Sequence, residues 1–223
     1  MNYLLTKSKF IRGLQCHKAL YLDVFHREVG KISAETKMKF FKGRSFEATY
    51  KATFPTAIDV SARLGKRIDS YPKLTAELLA QEGEVILFEA GFKYNDVLVL
   101  ADVVKKLPNG NLIIHEVKGG SHVSETYQHD VAIQYYVINQ CCPHIDAFCI
   151  VHNDGNGGFV IEDQLNYAIS QQPTIEQQVI EMKQVLAGGE PNIEMGDQCD
   201  NPYECPYKEY CNGKVASQLD LPF

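Results

Sequence analysis

Apolar and polar positions along the chain fall into blocks of two different periods. Residues 97–107 and 112–118 are dense in Val, Ile and Leu, and the cluster Pro108, Asn109, Gly110 and Asn111 between them is a turn signal, so the pattern predicts a β-hairpin of two central strands. A strand in VILFEAGFKY, starting at Val85, leads into it. Side chains alternate along a strand, so Glu116 and Lys118 share one face and Val117 points to the other. A loop of odd length, for example Asn109 to Asn111 closed by Pro108 and Leu112, sets Asp102 opposite Lys118 and beside Glu116 on one face, so a three- or five-residue turn, or a bulge, is expected. A two-residue turn pairs Asp102 with Val117 and sends its carboxylate to the wrong side.

Helical spacing covers residues 6–22, with an irregularity near Gly13, and residues 34–52, interrupted at Gly43 and closed by Phe54 and Pro55. A short amphipathic helix follows over 72–82. Ser124 caps a helix that carries Tyr127, Val131, Tyr135 and Ile138 on one stripe, with Asp130 and Gln134 four apart beside it. A strand over 147–152, a loop over 154–158 and a helix over 173–186 complete the pattern. Strand, helix and strand in this order imply an α/β fold with a mixed central sheet flanked by helices, in one domain of residues 1–223.

Composition narrows the class. The chain has 223 residues, and its 45% hydrophobic share suffices for a real core. No apolar run approaches bilayer length, and the first residues lack the apolar region of a secretory signal, which places the chain in the cytoplasm with no membrane partner. A net charge of −6 argues against a protein that coats its surface in cations to bind nucleic acid unspecifically, yet a local groove can still be basic. Lys7, Lys9, Arg12 and Lys18 form one basic cluster, and Lys37, Lys39, Lys42 and Arg44 form another. Each reads as a phosphate track or as a solvated helix face.

Two carboxylates at one point of a sheet repel unless a cation sits between them, and hard oxygen ligands suit Mg²⁺ or Mn²⁺. A metal so held lowers the pKa of a bound water for attack on phosphorus, while Lys118 orients that water or stabilises charge on the phosphate. An ordinary strand with a charged rim is the alternative reading. Seven cysteines in a cytosolic chain point to metal or cluster ligation before disulfides. Cys199, Cys205 and Cys211 lie close in sequence, and Cys16 is the natural fourth ligand, stapling the N-terminal helix to the C-terminal segment. A [4Fe–4S] cluster and a Zn²⁺ ion both accept four thiolates. Cys141, Cys142 and Cys149 read as buried small hydrophobes.

Together these features resemble the RecB-like branch of the PD-(D/E)xK nucleases, in particular the CRISPR-associated iron–sulfur nucleases and a similar N-terminal domain of bacterial proteins. The resemblance runs nearly end to end. It rests on Cys16 in LQCHKALYL, Gly43 followed by Glu47, Glu89 in FEAGF, Asp102, the Glu116-Val117-Lys118 triplet, Gln134 in DVAIQYY and the terminal cysteines. Glu47 stands where that family usually has a histidine, Ile138 where its helix motif has a tyrosine, and the cysteine spacing is wider than usual.

The resemblance implies a restriction-endonuclease-like sheet and a metal-dependent deoxyribonuclease acting on single-stranded DNA ends. It implies Asp102, Glu116, Lys118 and Gln134 in catalysis, with Gln134 orienting Lys118 or the substrate, and Glu47, Asp102, Glu116 and Val117 around the metal. It also implies a structural cluster on Cys16, Cys199, Cys205 and Cys211, and partners in DNA repair or CRISPR adaptation. A non-catalytic DNA-binding module and a redox sensor are the competing readings. Leu219 to Phe223 resemble the acidic tail, ending in Pro-Phe, of single-stranded-DNA-binding proteins.

Overall fold

The computed structural model describes residues 4–213, so the Leu219 to Phe223 tail lies outside the described residues. The strands are β1 (Leu5–Thr6), β2 (Ile58–Asp59), β3 (Val85–Tyr94), β4 (Val97–Lys106), β5 (Leu112–Lys118), β6 (Ile145–Asn153) and β7 (Phe159–Asp163). They form one seven-stranded mixed sheet in the order β2-β3-β4-β5-β6-β7, with β1 pairing parallel to the far end of β4. β3, β4 and β5 run as antiparallel neighbours, and β5 and β6 are parallel.

The helices are α1 (Lys7–Gln15), α2 (His17–Phe25), α3 (Ala34–Lys51), α4 (Val60–Leu64), α5 (Tyr71–Leu79), α6 (Glu125–Cys141), α7 (Leu165–Ser170), α8 (Gln172–Ala187) and α9 (Lys208–Cys211). A parallel pair needs a crossover, and α6 supplies it between β5 and β6. Its N-terminus is set by Ser124, whose hydroxyl accepts from the Tyr127 N–H at 3.3 Å. Val131, Ile133, Val137 and Ile138 then join Ile114, Phe148 and Ile150 of the sheet in the main core. The opposite face carries a smaller core in which Tyr50 of α3, with Phe46 and Phe54 beside it, covers Val103, Val117 and Val151.

Local chemistry redraws several expected boundaries. The 6–22 helix breaks at Cys16, which adopts an extended backbone, and not at Gly13. Gly13 is needed for close packing, since a Cβ there would meet Met182 Sδ at 2.6 Å. Helix α3 runs unbroken through Gly43, because the surrounding Lys, Phe, Arg and Glu residues are good or tolerable helix formers that outweigh one glycine. The expected burial of all three remaining cysteines also fails: Cys149 is buried, but Cys141 at the end of α6 is exposed and Cys142 is half-buried.

Candidate active site

The β4–β5 loop has five residues, 107–111, one of the two odd lengths expected, and Lys106 pairs with Leu112 across it. The register itself differs from the expected one by two residues. Val103 pairs with His115, so the next step sets Asp102 opposite Glu116 and not opposite Lys118. Regular pairing of the two strands ends there, and the carboxylates remain close enough for the Glu116 charge to act on Asp102.

Here β3 and β4 part from regular geometry. Glu89 has φ +53°, the left-handed region that a non-glycine residue rarely adopts. The paired register skips it, running Phe88 to Val103 and then Ala90 to Ala101. Core alternation slips with it: Leu87 and Ala90 on β3, and Ala101 and Val104 on β4, are each three apart, yet all pack in the main core. Backbone strain of this kind persists only where neighbours over-determine it. Its consequence is chemical, for carboxylate oxygens of Glu47, Glu89 and Asp102 lie within 4.8 Å of one another.

Lysines meet these acids from three elements. Lys51 of α3 donates to Glu47 Oε1 and to Glu89 Oε1, both at 2.5 Å. Lys7, the first residue of α1, donates to Glu116 Oε1 at 2.6 Å, and Lys118 Nζ lies 2.7 Å from the same oxygen. Lys118 is also bonded to Asp130 Oδ2 and lies over the Tyr127 ring, 5.3 Å from its centroid. The other Glu116 oxygen accepts from Gln134 Nε2 at 2.7 Å.

Charge and burial set the protonation states. Burial opposes the Glu116 charge, but Lys118 and Lys7 outweigh it and bring its carboxyl down to about 2. Asp102 goes the other way: burial and the neighbouring Glu116 charge push it up to about 8, because Lys7 and Lys118 are committed to Glu116. Burial raises Glu89 as well. The lysines remain charged, Lys118 well above its ordinary value, since Asp130 and Glu116 outweigh the cost of burying it.

Each expected site residue can now be placed. Asp102, Glu116, Lys118 and Gln134 converge, and Glu47 reaches Asp102 from α3. Gln134 bonds Glu116 and the Asp130 carbonyl, while Lys118 itself is held by Asp130 and by Glu116. Val117 turns its side chain into the smaller core and gives the site its N–H, which donates to Asp102 Oδ2 at 2.7 Å. Three participants lay outside the expected set. Glu89 was visible as an acid inside an apolar strand, whereas Lys7 showed only as one of a basic cluster and Lys51 not at all, and both arrive by tertiary packing.

The donor set suits a hard divalent cation. Three carboxylates face one point, and one is raised far above its ordinary value, a cost that a cation between them removes.

The cysteines occupy a second centre. Cys16, Cys199, Cys205 and Cys211 line one pocket with Lys18, Ala19 and Tyr207. Gln15 Nε2 donates to the carbonyls of Gln198 (2.7 Å) and Tyr203 (2.6 Å), which fixes the Cys199–Cys205 loop beside Cys16. Tyr207 donates to Asp23 Oδ1 at 2.9 Å from the other side. Among the described residues, no three of these sulfurs lie within 4.8 Å of one another.

No protein-family model and no curated protein matches the chain. Among solved structures it is similar to one titled "Crystal structure of SSO0001", at 13% identity and a TM-score of 0.40 over 98% of this chain and 87% of that one. No described helix is long and apolar enough to cross a membrane.

Proposed function

We propose that the protein is a divalent-metal-dependent nuclease of the restriction-endonuclease-like kind, cleaving phosphodiesters of DNA and acting on single-stranded ends. The observation that carries the reading is the convergence of Glu47, Glu89 and Asp102 on one point, with Lys118 held beside them by Glu116 and Asp130. Glu47, Glu89 and Asp102 would hold Mg²⁺ or Mn²⁺. A cation bound there supplies a water of lowered pKa and a Lewis acid for the phosphate.

The chain's own residues do the rest. Lys118 keeps its proton and offers ammonium hydrogens to a non-bridging phosphate oxygen as charge grows on it. Lys7 presents a second ammonium from the same carboxylate. Glu116 stays ionised and anchors both cations, and Gln134 fixes the rotamer of Glu116. Val117 N–H holds Asp102 in place through one oxygen, leaving the other for the shared point.

The four cysteines would hold a [4Fe–4S] cluster. Zn²⁺ is the alternative group for the same four thiolates. Its role is structural, tying α1 and α2 to the C-terminal segment.

One observation favours a non-catalytic DNA-binding module instead: Lys51 already bonds two of the three carboxylates. Cleavage decides between the two. End-labelled single-stranded and duplex DNA are incubated with Mn²⁺ or Mg²⁺ and protein purified without oxygen. The nuclease reading requires cleavage that Lys118→Ala abolishes while folding is kept. Absence of cleavage by both proteins, with DNA binding retained, transfers the assignment to the binding module.

A further inference from the structure

Helix α3 carries an exposed face that neither core needs. Its C-terminal turns pack on the sheet, where Tyr50 Oη and His115 Nδ1 share a 2.8 Å hydrogen bond. Its N-terminal end is tied to the cysteine segment. Thr36 Oγ1 donates to Glu204 Oε2 at 3.3 Å, and just upstream the Lys31 N–H donates to the Pro206 carbonyl at 2.8 Å. Midway, the backbone at Gly43 passes so close to the loop after Lys118 that a Cβ on Gly119 would come within 3.2 Å of Gly43 Cα. The helix is thus held at both ends and crosses directly over the end of β5.

Along it, Lys37, Phe40, Arg44, Glu47 and Lys51 recur at i, i+3, i+7, i+10 and i+14, a single helical stripe. The last two belong to the carboxylate site, and the stripe extends about 15 Å from Glu47 to Lys37 at the helical rise per residue. Phe40 is 52% exposed and its neighbour Phe41 63% exposed. Lys39 is paired with Glu35, but among the described residues Lys37, Lys42 and Arg44 make no salt bridge. Unpaired cations around an exposed aromatic ring, in a protein of net charge −6, are charge-complementary to a polyanion with accessible bases.

We propose that the Lys37, Phe40 and Arg44 face of α3 is the track along which an unpaired nucleic-acid strand reaches the carboxylates, Phe40 stacking on a base and the two cations pairing with phosphates. The track deepens the nuclease reading and rests on it, because it names the unpaired strand as the form the site receives. A base inside a duplex is stacked on both faces and has none free for Phe40.

Binding in EDTA tests the track without cleavage. Anisotropy of a labelled oligothymidylate of about 16 nucleotides reports single-strand affinity, and a blunt duplex of the same length is the control. Phe40→Ala should weaken single-strand binding roughly ten-fold, spare the duplex, and be rescued by Phe40→Trp. Lys37→Ala/Arg44→Ala should lower the salt dependence of single-strand binding, the slope of log affinity against log salt shrinking by about 1.4 for two lost phosphate contacts. All three positions are exposed, so folding is not at stake. Retained single-strand binding and an unchanged salt slope in these variants would overturn the track and give this face to a protein partner. Failure of the wild type to bind a single strand would overturn it as well. Neither result alters the Lys118→Ala cleavage comparison, by which the nuclease reading stands or falls separately.

Discussion

Replacing Asp102 by Asn isolates what the carboxylate costs the protein when no cation is bound. An aspartate ionises near pH 3.9 in an unfolded chain, whereas burial and Glu116 push Asp102 up to about 8 in the fold. A folded-state pKa above the unfolded value stabilises the fold fully below the unfolded pKa, and the contribution is lost as pH rises through the folded one. Glu116, at about 2 in the fold, titrates below this window. His115, lowered by burial to about 4 from an ordinary value near 6.5, adds stability between pH 5 and about 6.5 in wild type and variant alike, so the Asp102 contribution is the difference between the two proteins. Between pH 5 and 8 one proton at about 1.4 kcal/mol per pH unit gives a ceiling of about 4 kcal/mol. Asp102 keeps some contact with solvent, and screening reduces the expected fall to about 1–2 kcal/mol. Urea denaturation in EDTA should show this fall as the difference between wild type and Asp102→Asn across pH 5–8. Mn²⁺ or Mg²⁺ at a hundred times its dissociation constant should add about 2.7 kcal/mol to the wild type, the gain growing with pH as the cation competes with the proton. An Asp102→Asn protein with the wild-type pH slope and the wild-type cation gain would refute the reasoning, because neither effect would then belong to this carboxylate.

Glu116→Gln leaves Lys7 and Lys118 to share a neutral partner in a buried site, and a loss of about 2–3 kcal/mol in urea denaturation is expected; a loss below about 0.5 kcal/mol would show that Asp130 alone satisfies the cations. Cys205→Ala should lower the iron content and visible absorbance of anaerobically purified protein together with its melting temperature, and a stable, fully active, iron-free variant would contradict the cluster. Gly91→Ala places a Cβ 2.5 Å from Tyr71 Cβ, so β3 and α5 must separate at a cost of about 1–3 kcal/mol; an unchanged melting temperature would show that α5 gives way freely.

How far the site was legible depends on how its residues are brought together. Asp102, Glu116 and Lys118 lie on two strands joined by one turn, so the hairpin suffices to bring them close, although the irregularity at Glu89 and Asp102 breaks the alternation that loop parity relies on. The register within that parity was not legible, because loops of three and five residues both satisfy it. Asp130 and Gln134 are four apart on the next helix, and their common face follows from the helical period, although which of them holds Lys118 does not. Lys7 showed only as one of a basic cluster, and Lys51 carries no local sign at all. Their sequence neighbours are ordinary helix residues, and only the packing of α1 and α3 on the sheet aims them at the acids. Glu89 is intermediate: an acid between Phe88 and Ala90 breaks the apolar run, but its left-handed backbone is a property of the folded sheet.

The charge balance of the assembled site argues for its purpose. Glu47, Glu89, Asp102, Glu116 and Asp130 contribute five carboxyl groups, and Lys7, Lys51 and Lys118 contribute three ammoniums in contact with them. With all eight ionised, two negative charges remain, the amount one divalent cation offsets. A site built only for structural ion pairing has no reason to bear this surplus, since a buried uncompensated charge is costly. The surplus settles on Asp102, the carboxyl that burial and the neighbouring Glu116 raise to about 8 and that, among the described residues, forms no salt bridge with a lysine. Lys51 then acts as a counter-ion that holds Glu47 and Glu89 close, ready to share a stronger cation with Asp102. On this reading a Lys51→Met protein should bind Mn²⁺ more weakly despite losing a competing cation, because its two acids would spread apart. Tighter Mn²⁺ binding by Lys51→Met in calorimetric titration would instead make Lys51 a plug, and would favour the non-catalytic module.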